Sequence, residues 1–286
     1  MSIYTPKQIK ELFLQKNLRP KKMMGQNFLI DKKALSAMVA TAELTADDIV
    51  LEIGPGLGGL TVALAQRVKK VMAIERDKQL IELLRENIAS EKLNDKVEIV
   101  AGDILELPMT NDQLQNYKLI SNLPYEISSP VLWKFLYEET ASPQLMVLML
   151  QKEVAEKITA RPGAMSLLSV LGQFYAKVAL VAKVSKSSFW PAPKVDSAIV
   201  RFNVGVGFKL ALPDGFNERG FFKMVKAGFS SPRKKLINNL ISFRPTEVRS
   251  LTKAGLEGVF KKINLDFGIR AEDLSVENWI DIYRSF

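Results

Sequence analysis

The chain has 286 residues, 47% of them hydrophobic, with 40 Lys and Arg against 31 Asp and Glu and neither cysteine nor histidine. Such a composition describes a folded chain, and the length fits one large domain or one domain with an appendage. It excludes disulfides, thiolate chemistry and the histidine-based forms of acid–base catalysis and zinc ligation, so no metal site is expected.

No apolar run approaches the ~18 residues that span a bilayer, and the first residues lack the apolar core of a signal peptide. A cytoplasmic protein with no membrane partner is expected. The net charge of +9 is unevenly placed. Residues 1–33 hold 8 basic against 2 acidic side chains, residues 34–206 hold 18 against 20, and residues 207–286 hold 14 against 9. Two basic ends around a neutral middle suit a polyanion such as RNA, the alternative being a solubilising excess of lysine.

In chain order, residues 6–17 read as an amphipathic helix with Pro6 in its first turn. Residues 19–29 (Arg-Pro-Lys-Lys-Met-Met-Gly-Gln-Asn-Phe-Leu) fit no period and are expected to form a loop laid over the main domain. Asp31 then caps a helix over 32–42. From 47 to 150 strands and helices alternate as in a parallel sheet: strands at 49–53, 71–75, 97–100, 118–120 and 145–150, helices at 60–68, 78–89 and 128–137. The last of these strands is almost wholly apolar, as burial on both faces requires. Helices at 152–159 and 166–174 follow. Two further strands, 177–185 and 197–203, flank a proline-stiffened arm, Ser187-Ser188-Phe189-Trp190-Pro191-Ala192-Pro193-Lys194. Gly205, Gly207 and Leu212-Pro213-Asp214-Gly215 mark a boundary, beyond which helices are expected at 221–240, broken at Ser230-Ser231-Pro232, and at 246–260 and 276–283.

Two stretches carry chemistry. Glu52-Ile53-Gly54-Pro55-Gly56-Leu57-Gly58-Gly59 lies between strand and helix, the setting of a nucleotide-binding glycine loop, and Glu75 lies 21 positions after Gly54, where a ribose-binding acid is expected. The loop alone leaves NAD and S-adenosylmethionine open. Asp103, after the third strand, either accepts an adenine amino group or caps the next turn. Ser121-Asn122-Leu123-Pro124-Tyr125 ends the fourth strand. Its Asn122 side-chain oxygen and Leu123 carbonyl can hold the two hydrogens of an adenine amino group, whose lone pair is otherwise delocalised into the ring. Pro124 stiffens the turn and removes a competing donor. Tyr125 and Phe189 can stack on the base, each ring worth about 1–3 kcal/mol. A dehydrogenase has no use for such a pocket, which favours S-adenosylmethionine. Lys223, Lys226, Arg233, Lys234 and Lys235, with Asn238 and Asn239, make a donor-rich stretch that is either a phosphate-binding or a solvated face.

Several separated motifs in this order resemble the KsgA/RsmA-type ribosomal RNA adenine dimethyltransferases over nearly the whole chain: Gly25-Gln26-Asn27-Phe28-Leu29, Glu52-Ile53-Gly54-Pro55-Gly56, Asn122-Leu123-Pro124-Tyr125, Leu150-Gln151-Lys152-Glu153-Val154, Phe189 with Pro191-Ala192-Pro193-Lys194-Val195-Asp196-Ser197, and Arg233-Lys234-Lys235-Leu236. The resemblance implies an α/β, Rossmann-like class I methyltransferase sheet of seven strands, the last antiparallel. Residues 1–205 would form the methyltransferase domain, with 1–46 as a helical, cofactor-covering segment, and 206–286 a basic helical RNA-binding domain. It implies dimethylation, by S-adenosylmethionine, of the N6 amino groups of two adjacent adenosines near the 3′ end of small-subunit ribosomal RNA, on an assembling subunit and as a monomer. Carried over by motif, cofactor contacts fall on Asn27, Leu29, Gly54, Gly56, Glu75, Asp103 and Asn122, and the target-base pocket on Asn122, Leu123, Pro124, Tyr125 and Phe189. RNA contacts are expected at Lys21, Lys22, Lys223, Lys226, Arg233, Lys234 and Lys235. The sequence departs from many relatives at Ala164-Met165-Ser166-Leu167, where a Tyr-Gly or similar pair followed by a polar or basic residue is common. The related large-subunit enzymes of macrolide resistance, and non-catalytic RNA-binding or transcription factors on the same fold, are the alternatives. Leu123 before Pro124 and the 191–197 arm weigh against the first, and Glu75, Asp103 and Asn122 against the second.

Overall fold

The structure, a computed structural model, describes residues 4–21, 24–109, 114, 116–138, 141–205, 207, 212, 215–241 and 252–285. The chain forms two compact units, Met1–Ala155 with Val178–Val204, and Glu156–Lys177 with Gly205–Phe286.

The first unit opens with α1 (Pro6–Gln15), started by a Thr5 capping box with Gln8. A short strand, β1 (Phe28–Leu29), precedes α2 (Lys32–Thr41), whose first turn is capped by the Asp31 carboxylate. The alternation then runs β2 (Ile49–Ile53), α3 (Gly59–Ala65), β3 (Lys70–Glu75), α4 (Lys78–Ser90), β4 (Val97–Ala101), β5 (Lys118–Asn122), α5 (Ser128–Trp133) and β6 (Leu145–Gln151). α5 continues into a π-helical turn at Lys134–Glu138. After α6 (Lys152–Ile158) and α7 (Leu167–Tyr175) come β7 (Ala176–Val184), β8 (Phe189–Trp190) and β9 (Ser197–Val204).

Seven strands make one sheet in the order β4-β3-β2-β5-β6-β9-β7. β4, β3, β2, β5 and β6 pair in parallel, and β9 runs antiparallel to β6 with Leu148 opposite Val200. The expected sheet is therefore present. The run Leu145–Leu150 is fully buried, in keeping with a strand covered on both faces. One core cluster joins Leu35 and Met38 of α2, Leu64 of α3 and Leu84 of α4 to Val50, Ala73, Ile120 and Val147 of the sheet.

β1 and β8 form a ribbon of their own, Phe28 opposite Trp190 and Leu29 opposite Phe189. Residues 19–29 are thus not wholly loop. α1 seals the ribbon from outside: Phe13 packs 5.5 Å from the Phe28 ring and 5.9 Å from Trp190, and Ile9 and Phe13 are buried with Leu57, Leu80 and Leu83.

The second unit contains α7, α8 (Glu218–Gly228), α9 (Leu236–Ile241), α10 (Lys253–Lys262) and α11 (Val276–Arg284). Residues 156–177 cluster here, although the sequence reading assigns them to the first domain. The cause is aromatic: the Phe174 ring stacks on Phe221 at 4.9 Å, and Tyr175 stacks on Phe222 at 5.8 Å. The departure at 164–167 serves local structure, since Met165 is buried and Ser166 starts α7 through a capping box with Ser169. The break between α8 and α9 falls where Ser230-Ser231-Pro232 predicts it. Asn239 spans that break, donating from Nδ2 to the carbonyls of Gly228 (2.6 Å) and Ser231 (3.1 Å). It is buried, which corrects its reading as a phosphate donor. Residues 246–251 of the expected helix 246–260, and Pro213 and Asp214 of the expected turn, lie outside the described residues.

Candidate active site

A cavity in the first unit collects most of the singled-out residues: Asn27 and Leu29, Gly54 and Gly56, Glu75, Asp103, Asn122 through Tyr125, and Phe189 all line it. β2 delivers the glycine loop to its floor. Gly54 has φ +64°, and a Cβ there would sit 3.2 Å from the Pro124 ring, so loop and Asn122 turn approach as closely as a glycine permits.

Glu75 ends β3 and is buried. Its carboxylate accepts from the backbone N–H of Asp77 (Oε1, 2.9 Å) and of Gly56 (Oε2, 3.3 Å). Burial pushes its pKa up, and these backbone donors pull it back. Glu52 lies deeper, with Oε2 lacking any hydrogen-bond partner. Desolvation, aided by the Glu75 charge and opposed by Thr61, pushes its carboxyl from an ordinary 4.5 to about 8. At neutral pH Glu52 is a neutral acid. At Glu52 the folded chain therefore holds up to one proton more than the unfolded chain between those two values, so the contribution of this group to stability falls as pH rises through that window. Glu52→Gln, uncharged throughout, is expected to flatten this fall, read as thermal midpoints measured below and above the window. An equally steep fall in the variant would remove Glu52 as its source.

Of its two readings, Asp103 shows the turn cap. Its Oδ1 caps the next turn by accepting from Leu105 N–H (3.0 Å), and its Oδ2 pairs with Arg76 (3.1 Å), while the residue lines the cavity beside Gly102.

Asn122 is the last residue of β5, two positions beyond the expected strand end. Parallel pairing with Met149 on β6 fixes its backbone, and the neighbouring Ser121 hydroxyl donates to the Ile53 carbonyl at 2.6 Å. The Asn122 amide donates from Nδ2 to the Asn27 carbonyl (3.4 Å), which turns Oδ1 away from that segment. In the following turn, Ile127 N–H (3.2 Å) and the Ser128 hydroxyl (3.5 Å) donate to the Pro124 carbonyl. The Tyr125 hydroxyl shares a 2.7 Å hydrogen bond with Ser197, fastening the turn to the start of β9. Phe189 arrives from the proline-rich arm through the β1–β8 ribbon and is 3% exposed, part of the main core cluster as well as of the cavity wall. The Ser188 carbonyl accepts from Ile30 N–H (2.9 Å), and the Ser188 hydroxyl donates to Asp31 (2.8 Å).

The predicted RNA-binding residues are divided. Lys223, Lys226, Arg233, Lys234 and Lys235 belong to the second unit and are exposed. Lys22 lies outside the described residues. Lys21 instead reaches inward to Asp77, its Nζ 2.8 Å from Oδ1. Sequence reasoning misses Asp77, Gln26 and Glu126. Asp77 carries the signature of a helix cap, and it is one, accepting from Gln79 N–H at 3.1 Å. Gly25 is the available clue to Glu126: it has φ +60°, and a Cβ there would meet Glu126 Oε2 at 2.0 Å.

Glu52, Glu75, Asp103 and Glu126 give the lining acidic groups, and Gly54 opens the floor to close approach, whereas the apolar wall comes from Leu29, Leu60, Ile74 and Phe189. A cleft of this kind fits a nucleoside carrying a positive charge. Among the described residues no cluster of metal-binding side chains is found, and no helix is long and apolar enough to cross a membrane.

The sequence model of the family described as Ribosomal RNA adenine dimethylase matches residues 17–286. Ribosomal RNA small subunit methyltransferase A of Dehalococcoides mccartyi is 39% identical over 274 residues, covering 95% of this chain and 90% of that protein. Two solved structures are similar: a dimethyladenosine transferase from Plasmodium falciparum (TM-score 0.74, 27% identity, 89% of this chain and 95% of that one) and the 23S rRNA methyltransferase ErmE (TM-score 0.71, 28% identity, 91% and 99%). Sheet order, glycine loop and strand-end pocket together define a class I methyltransferase. The chain belongs to the ribosomal RNA adenine dimethylase family and is an rRNA adenine dimethyltransferase.

Proposed function

We propose that this protein dimethylates the N6 amino groups of two adjacent adenosines near the 3′ end of small-subunit ribosomal RNA, on assembling subunits in the cytoplasm and as a monomer. The observation that carries the reading is the Asn122 amide at the end of β5, oriented by the Asn27 carbonyl and set against the glycine loop. The name of the Dehalococcoides relative supports the choice of the small subunit.

S-adenosylmethionine supplies the methyl group when bound, and the acidic, glycine-floored cleft suits its positive charge. Glu75 would accept from its ribose hydroxyls, Asp103 from its adenine, and Gly54, Gly56, Asn27 and Leu29 would border it. The chain's own work is on the target base. Asn122 Oδ1 and the Leu123 carbonyl hold the two N6 hydrogens, favour a tetrahedral nitrogen and stabilise the positive charge that grows on it. Tyr125 and Phe189 stack on the ring, which offsets the few kcal/mol of taking a base out of its stack. The methylated ammonium loses its proton to water, so a chain without histidine lacks nothing the reaction needs.

Transfer of tritiated methyl groups to unmethylated small and large subunits, followed by nucleoside mapping, tests the reading. Label in N6,N6-dimethyladenosine of the small subunit alone is expected, and label confined to the large subunit would overturn it.

The second unit is proposed as the RNA-binding domain, through the exposed cations of α8 and of the turn before α9. Replacing Lys234 and Lys235 by glutamine is expected to reduce the slope of log affinity against log salt by roughly 0.7–0.9 for each phosphate that is no longer neutralised. An unchanged slope would leave these lysines as a solvated face.

A further inference from the structure

We propose that Asp77 is a positioning residue for methyl transfer: through Lys21 and Gln26 it latches residues 24–29 over the cleft, so that the Asn27 carbonyl holds the Asn122 amide in its acceptor orientation. The proposal rests on the reading of Asn122 given above.

The latch is a closed ring. Asp77 Oδ1 accepts from Lys21 Nζ at 2.8 Å, and Oδ2 accepts from Gln26 Nε2 at 2.7 Å. Gln26 Oε1 accepts from the Lys21 backbone N–H at 2.7 Å, which closes the ring on itself. Asp77 is 4% exposed, so its charge is answered by these two side chains and by Gln79 N–H at the start of α4, with little help from water. Removing either side-chain partner strands part of a buried carboxylate, a large penalty that ties the ring together.

The ring reaches the reacting group in two short steps. Gln26 adjoins Asn27, whose own side chain donates back to the Gly25 carbonyl at 2.9 Å, so the peptide direction at Asn27 is set from both sides. The Asn27 carbonyl then accepts from Asn122 Nδ2. An amide has two nearly isosteric ends, and without that acceptor a half-turn about its last bond would aim an N–H₂ group at the target amine, donor against donor. Asp77 also donates its N–H to Glu75 Oε1 at 2.9 Å, so one residue anchors the groups proposed for the ribose and for the base. Lys21 thereby changes role: it acts on the cleft and not on RNA phosphate.

Asp77 itself is a poor probe because it caps α4. Lys21→Met and Gln26→Leu open the ring and leave the cap in place. Each is expected to lower the single-turnover rate at saturating RNA and S-adenosylmethionine by about tenfold or more, the scale of a small misplacement of a reacting group. Each is also expected to lower the thermal midpoint, because it leaves part of the Asp77 carboxylate unanswered, so rates are compared well below the lower midpoint; the salt slope of RNA binding is expected to hold. Lys21→Arg is expected to recover most of the lost rate, and the double variant to lose far less than the product of the two single losses, since both open one ring. An unchanged rate in both single variants overturns the latch. So does a lower salt slope with an unchanged saturated rate in Lys21→Met, which would mark a phosphate-binding lysine. Near-normal turnover by Asn122→Ala would instead remove the acceptor reading itself, so the two failures are distinguishable.

Discussion

Asn122→Ala is expected to lower the rate of methyl transfer at saturating S-adenosylmethionine and RNA by about 10²–10³-fold, the usual loss for one preorganised group facing developing charge. Cofactor affinity is expected to stay within about tenfold, or ~1.4 kcal/mol, because Glu75, Asp103 and the glycine loop remain. Truncation leaves the N6 amine with a single acceptor, the Leu123 carbonyl, and leaves the Asn27 carbonyl without its donor. Asn122→Asp separates the two effects. The carboxylate keeps acceptors for the amine but sets an oxygen against the Asn27 carbonyl, 3.4 Å from the present donor, and should retain activity between that of alanine and of the native residue. Single-turnover rates with labelled methyl groups measure both. Near-normal transfer by the alanine variant would refute the acceptor role.

The second large effect concerns the cofactor. Glu75→Ala is expected to weaken S-adenosylmethionine binding by about 10- to 100-fold, on the basis that a hydrogen bond to a charged group contributes ~1.5–3 kcal/mol. Titration calorimetry gives the value directly, and an unchanged affinity would sink the assignment. The sign of the pH dependence follows from burial. Glu75 takes up its proton at a higher pH than an exposed glutamate, and the ionised form is the better acceptor for ribose hydroxyls. Affinity should therefore weaken as the solution is acidified through that raised pKa, an effect absent from Glu75→Gln.

The sheet is legible because its strands carry their environment in their composition. Leu145–Leu150 has no polar residue to place in water, and the glycine loop between β2 and α3 has a spacing with few other uses. Asn122, Leu123 and Tyr125 are legible as a strand end next to a turn, and the structure brings them into one cavity with the loop and Glu75. Other features leave no local trace. A two-residue ribbon such as β1–β8 has no period to detect, since its pairing joins positions 28–29 to 189–190. Lys21 counts towards a basic end because charge counting cannot see a partner 56 residues away. Helix α7 is amphipathic whichever neighbour covers it, so only the rings of Phe221 and Phe222 reveal that it packs with the second unit. Asn239 resembles a surface donor because an amide gives the same signal whether it faces a phosphate or two carbonyls at a helix break.

The strand order also sets a timetable for synthesis. β9 lies between β6 and β7, so residues 176–184 leave the ribosome before the strand they must pair with has been made. Until residues 197–204 emerge, β6 presents an apolar, unpaired edge, and β7 has no neighbour in the sheet. The arm, residues 187–194, is made between β7 and β9, so neither Phe189 nor the pairing that holds Leu29 is in place until that stretch has emerged. The nascent chain can build the glycine loop and the first five strands of the sheet early, but its methyl-transfer cleft closes only with one of the last strand insertions, a non-local event of the kind that folds slowly. For this protein the last wall of the active site and the last strand of the sheet are drawn from one late stretch of chain, residues 187–204.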